Sequence, residues 1–115
     1  MYFIGDIVYV TDFFYKGKRP GRNHMFVILE KPNEYSRNYK GLIISSKYEK
    51  RHFKFVEELK NNKLNHLFKK SIVYCNDLIR LRPENIKRKI GQVNAYEYYR
   101  LTDCLNSYTN RRARG

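Results

Sequence analysis

Residues 16–30, KGKRPGRNHMFVILE, constrain the fold more than any other stretch of the chain. Met25-Phe26-Val27-Ile28-Leu29 is an unbroken apolar run and reads as a buried strand. The residues before it form a loop sequence: Gly17, Pro20 and Gly21 interrupt regular structure, and Lys16, Lys18, Arg19 and Arg22 make it basic. Arg22-Asn23-His24 joins the two halves. Cations and an imidazole are thereby delivered to the mouth of a rigid strand, an arrangement suited to gripping a phosphodiester. The plainer reading is a solvated basic loop running into a core strand.

Other segments fit around that strand. Residues 2–10 read as a first strand, with Gly5 as a candidate bulge. Residues 11–23 form a connection long enough to suggest a binding loop. Residues 31–40, KPNEYSRNYK, read as a surface loop, and Gly41-Leu42-Ile43-Ile44-Ser45-Ser46 as a short buried strand ending in two hydroxyls. Residues 51–57 alternate His52, Lys54 and Val56 against Phe53 and Phe55, which predicts a half-buried strand. Residues 58–70 read as a loop with about one helical turn. Residues 71–81 are strand-like, with a polar break at Asn76-Asp77, and Pro83 marks a turn before a further extended segment over 86–93. Asn94 with Glu97 three residues on predicts a capped helix, continued by Tyr98, Leu101, Leu105 and Tyr108. Five or more short strands and one C-terminal helix predict a mainly β chain: a small, highly curved antiparallel sheet or barrel with the helix packed on it. The expected organisation is a single domain over 1–109 and a basic flexible tail over 110–115.

Charge narrows the class of partner. Lys and Arg total 24 against 11 Asp and Glu, a formal net charge of +13, and a compact domain with that excess calls for a polyanion. Nucleic acid is the first candidate and an anionic membrane surface the second. No apolar run approaches the ~18 residues of a transmembrane helix, and the N-terminus lacks the pattern of a signal peptide. Cys75 and Cys104 lie within apolar patterns, which predicts two reduced, partly buried thiols in a cytoplasmic protein. His24, His52 and His66 are scattered, so no metal site is predicted, and the absence of Walker and GxSxG motifs leaves nucleotide-dependent and serine-hydrolase chemistry unsupported.

Cutting RNA without a cofactor requires a base for the 2'-hydroxyl, a proton for the leaving 5'-oxygen, and cations on the phosphate. His24 is a candidate base or acid. Arg22 and Arg19 are candidates for the phosphate, because a guanidinium fork matches its oxygens. Ser45 and Ser46 could donate hydrogen bonds to the scissile group; the commoner meaning of such a pair is a hydroxyl-rich turn. Lys18, Asn23 and Lys47 border the same elements. Lys47, Lys50, Arg51 and Lys54 on one side, and Arg80, Arg82, Lys87, Arg88 and Lys89 on the other, could track a phosphate backbone. Tyr35, Tyr39 and Tyr48 are candidates to stack on unpaired bases, or else tyrosines at the rim of the core.

The order of these segments resembles the MazF/PemK family of toxin endoribonucleases. Gly5-Asp6-Ile7-Val8-Tyr9-Val10 is similar to that family's opening strand, and the basic loop with Arg19-Pro20 followed by His24-Met25-Phe26-Val27-Ile28-Leu29 to its basic loop and apolar strand. Ser45 stands where family members carry Thr, and Asn23 or His24 where they carry Arg, with Arg22 one or two residues early. Ser71-Ile72-Val73-Tyr74, Leu78-Ile79-Arg80, Ile86, Ile90-Gly91, Val93 and the capped helix follow the family spacing. The resemblance implies an SH3-like barrel with a C-terminal helix, and a homodimeric, metal-independent mRNA interferase that cuts single-stranded RNA at short motifs. It also implies neutralisation by a cognate antitoxin. On the residues themselves, Arg22, His24 and Ser45 are the catalytic candidates, and Arg19, Asn23, Ser46, Lys47, Lys18 and Arg80 the candidates for binding substrate. A non-catalytic nucleic-acid-binding module on the same barrel is the alternative, and a toxin directed at a topoisomerase a third reading.

Overall fold

The computed structural model describes residues 1–12 and 23–114, without the side chains of 112–114. Its elements are β1 (Asp6–Val10), β2 (His24–Glu30), β3 (Tyr39–Ser45), β4 (Val56–Leu59), β5 (Ser71–Tyr74), β6 (Ile79–Leu81), β7 (Ile86–Gln92) and α1 (Ala95–Arg114). The strands form one 7-stranded sheet in the order β4-β5-β3-β2-β1-β7, every pairing antiparallel. β6 joins it by pairing with β3 beside β5: β5 takes Ile44 and Ser45, and β6 takes Tyr39, Lys40 and Gly41.

The unbroken apolar run of β2 is explained by its position. Val27 and Leu29 enter one core, with Ile7, Leu42, Ile44 and Val73, and Leu101 of α1 covers it. Phe26 and Ile28 enter a second core on the other face, with Val8, Val10, Leu81 and Ile86. A strand buried on both faces has no solvent side on which to place a polar residue. Full burial contributes about 1.5–3 kcal/mol per large apolar side chain, so Phe26, Val27 and Ile28, each 0% exposed, fix β2 as the centre of the sheet.

The sheet is an open one within a mixed α/β fold, which corrects the expected barrel. β4 and β7 are the two ends of the pairing order and do not pair with each other. Residues 60–70 occupy the position where closure would occur. The Gln92 N–H donates to the Leu64 carbonyl at 3.2 Å. A Cβ on Gly91 would stand 2.4 Å from the Asn65 carbonyl oxygen, so only glycine allows the two backbones this approach. Asn65 is 0% exposed and serves as the connection's own core. Its side-chain oxygen accepts from the N–H groups of Asn62 and Leu67, and its amide donates to the Lys60 carbonyl at 2.8 Å. The Asn62 and Asn65 side chains take up the N–H groups of Asn62, Leu64, Asn65 and Leu67, which holds the segment as turns.

Three local expectations also change. β1 begins at Asp6, and Gly5 stands in the turn before it at φ 93, its carbonyl accepting from the Val93 N–H at 2.9 Å. The strand expected over 51–57 is absent: Tyr48–His52 form a 3-10 turn, Phe55 takes φ 59, and β4 starts only at Val56. The alternation of residue types there imitated a strand, but Phe53 is exposed and Phe55 packs edge-on to Tyr108 at 5.1 Å. α1 stays helical to Arg114, through most of the segment expected as a tail. The helix start is as expected: the Glu97 N–H donates to Asn94 Oδ1 at 2.7 Å, and the Asn94 N–H to Glu97 Oε1 at 2.9 Å.

Candidate nucleic-acid interface

One end of the sheet collects Asn23, His24, Ser45, Ser46 and Lys47. Val10 ends β1 opposite His24, which opens β2, and Ile86 opens β7 opposite Val10. Met25 pairs with Ile44, so Ser45, the last residue of β3, follows in register beside His24. Four neighbouring strands therefore end or begin together. The basic segment 13–22 connects Asp12 to Asn23 at this end and lies outside the described residues, and Lys18, Arg19 and Arg22 lie outside with it.

His24 falls on the face of β2 shared with Phe26 and Ile28, at the margin of the second core. Its imidazole is half-buried, and burial pushes its pKa below the ordinary value of 6.5. A hydrogen bond to the Ile44 backbone opposes that shift, and the nearby Lys47 ammonium adds to it. The ring is therefore neutral near pH 7. With one nitrogen donating to the Ile44 carbonyl, the other carries the lone pair a base needs.

Ser45 is buried, with its Oγ accepting from the Lys47 N–H at 3.1 Å. That bond tightens the turn leaving β3, so Ser46 and Lys47 are exposed immediately beyond it. Asn23 is exposed immediately before β2. His24, Ser45, Asn23, Ser46 and Lys47 thus share one end of the sheet. Arg80 does not join them. It pairs with Lys40, five residues before Ser45 along β3, because β6 lies against the opposite half of that strand.

The 3-10 turn after Lys47 gathers Tyr48, Lys50 and Arg51. The Arg51 guanidinium lies 4.9 Å from the Tyr48 ring centroid and Lys70 Nζ lies 5.6 Å from it. Lys50 Nζ stands 5.9 Å from the Phe53 ring, which packs edge-on to His52 at 4.9 Å. The Tyr48 hydroxyl donates to Glu58, and that bond pushes the phenol pKa up. Aromatic faces among cations suit unpaired bases and their phosphates. The sequence signal for Lys70 is its place in Lys69-Lys70 just before β5.

Other expected contributors lie elsewhere. Tyr39 is buried, and its hydroxyl accepts from the Tyr2 N–H at 3.3 Å, so it is a core tyrosine. Tyr35 is exposed in the turn between β2 and β3, at the far end of those strands. Lys89 is held by Asp6 at 3.2 Å and Lys87 by the Glu84 carbonyl at 2.9 Å. Arg88 lies over Tyr9 at 5.5 Å. Among the described residues, no group of three or more His, Cys, Asp or Glu could hold a metal ion, and no helix is long and apolar enough to cross a membrane. No family model matches this chain, and no curated protein matches it.

Proposed function

We propose that this chain is a toxin-like cytoplasmic endoribonuclease that binds single-stranded RNA at the His24–Ser45 end of its sheet and cleaves it there without a metal. The observation that carries this reading is His24: an imidazole whose pKa burial lowers, with the Lys47 ammonium nearby, where four strands end together. In the proposed step His24 takes the proton of a ribose 2'-hydroxyl, and O2' attacks the adjacent phosphorus. The P–O5' bond breaks, and the leaving oxygen takes a proton from water. Lys47, with Arg22 and Arg19 of the basic segment, offsets the charge that builds on the phosphate. Tyr48 with Arg51 and Lys70 provides a surface for a flanking base. A homodimer and a cognate antitoxin that covers the RNA site belong to this proposal on the strength of the resemblance to MazF/PemK toxins.

A second reading is favoured by Ser45, whose Oγ is buried and already bonded to the Lys47 N–H. A hydroxyl committed to its own turn suits a non-catalytic RNA-binding module on the same open sheet. The two readings separate in one experiment. Purified protein is incubated with single-stranded RNA in EDTA, and the ends of the products are mapped. The first reading expects fragments with 2',3'-cyclic phosphate ends, cut at a short recurring motif. Salt-dependent binding with intact RNA would replace it by the second. Neither binding nor cleavage would remove both.

A further inference from the structure

Cys75 and Cys104 are far apart in sequence and adjacent in the fold. Cys75 follows β5 and is 0% exposed, at the centre of the helix-side core. Cys104 is on α1, half-buried, and packs against that same core. The Cys75 thiol donates to the Val73 carbonyl at 3.6 Å, and each thiol perturbs the other's ionisation. The pair is framed by rigid contacts. The Cys75 N–H donates to the Phe55 carbonyl at 2.8 Å, Phe55 meets Tyr108 of α1, and Arg100 of α1 pairs with Glu57 of β4. The neighbours of Cys104 on α1 and the strands beside Cys75 are thus already held together while both thiols are reduced.

We infer that Cys75 and Cys104 form a reversible intramolecular disulfide that staples α1 to the sheet when the protein meets a small-molecule disulfide. The order of attack follows from access and charge. Cys104 is the more exposed of the two residues. Burial raises the pKa of both thiols, and raises that of Cys75 furthest. Glu57 and Asp103 add to the shift at Cys104, while the neighbouring Cys75 thiol opposes it. Cys104 is therefore the nucleophile and Cys75 the resolving thiol. The Cys104 thiolate attacks the external disulfide, a mixed disulfide forms, and one external thiolate leaves. Cys75 then loses its proton and attacks the Cys104 sulfur, and the second external thiolate leaves. Two protein thiols are oxidised and one external disulfide is reduced to two thiols, which take up the two protons. Because both groups are raised, the reaction is slow at neutral pH and accelerates as pH rises.

This inference is independent of the nuclease reading. Full-length protein is incubated with oxidised glutathione at pH 8.5, and its intact mass, its peptide map and its melting temperature are measured. The expected product is a single chain lighter by the two thiol hydrogens, with a Cys75–Cys104 cross-linked peptide. It melts about 5 °C or more higher, as expected for closing a long loop, and dithiothreitol reverses the shift. Cys104→Ser is expected to fold, to keep Cys75 as a free thiol without a glutathione adduct, and to show no rise in melting temperature. Two free thiols after oxidation, a glutathione adduct that does not resolve, or a disulfide joining two chains would each overturn the inference.

Discussion

Asn65 and His24 are both polar side chains set into the margins of an apolar core, and the fold treats them in opposite ways. Asn65, at the seam between β4 and β7, is surrounded by partners from its own segment: it accepts from Asn62 and Leu67 and donates to Lys60. Its hydrogen bonds stabilise a turn and offer nothing to a ligand. His24 has its pKa lowered by burial and shares its end of the sheet with the exposed Asn23 and Lys47. Near it, at the end of β1, the hydroxyl of Thr11 is buried without a hydrogen-bond partner. Buried polar groups in a fold are ordinarily satisfied. The seam follows that rule; Thr11 at the His24 end departs from it, as does Asn76 Oδ1 in the break between β5 and β6. Such departures concentrate where a protein does chemistry or binds.

The contrast can be broken first at the seam. Asn65→Ala strands two backbone N–H groups and a carbonyl, so it is expected to lower stability by about 3 kcal/mol, read by urea denaturation. RNA cleavage corrected for the folded fraction should be unchanged. A loss of intrinsic cleavage as large as the loss of folding would erase the distinction between the two regions. His24→Ala should do the reverse. Cleavage is expected to fall about 10²-fold or more, the size of a lost acid–base group, with stability within about 1 kcal/mol of the parent protein.

A smaller effect is expected at the helix start. Asn94→Ala removes the acceptor for the Glu97 N–H and should cost about 1 kcal/mol, with cleavage unaffected in the folded protein. The last effect is on pH dependence. The His24 pKa is lowered in the fold, so below 6.5 the unfolded chain binds a proton that the folded chain resists. Stability is expected to be level above that pH and to decline as pH falls from it towards the folded value. His24→Gln should flatten this part of the curve in thermal melts between about pH 5 and pH 8. An unchanged slope in the variant would assign the acid sensitivity to another group.

Much of the sheet was legible because its signals are local. The apolar run of β2 needs two covered faces, the break at Asn76-Asp77 separates β5 from β6, and Asn94 with Glu97 closes a capping box. Barrel closure was not legible, because it turns on a backbone contact between Gly91 and Asn65, whose side chains give no periodic signal. The segment 51–57 was misread for a related reason: its alternation is real, but Phe55 at φ 59 redirects the chain. At the candidate site, the closeness of His24 to Ser45 follows from two apolar strands pairing in register, and the sequence carried that much. The position of Arg80 did not follow, since nothing local says which half of β3 receives β6. The contact between Cys75 and Cys104 depends on how α1 is rotated against the sheet, which a helical pattern fixes only to a face.

The most direct test of the account is the single-turnover cleavage rate of single-stranded RNA in EDTA. Parent protein, His24→Gln and Asn65→Ala are compared at a temperature where all three are folded. The account predicts cleavage by the parent protein, a fall of about 10²-fold or more for His24→Gln, and a parental rate for Asn65→Ala. An unimpaired His24→Gln, or RNA left intact by the parent protein, would contradict it.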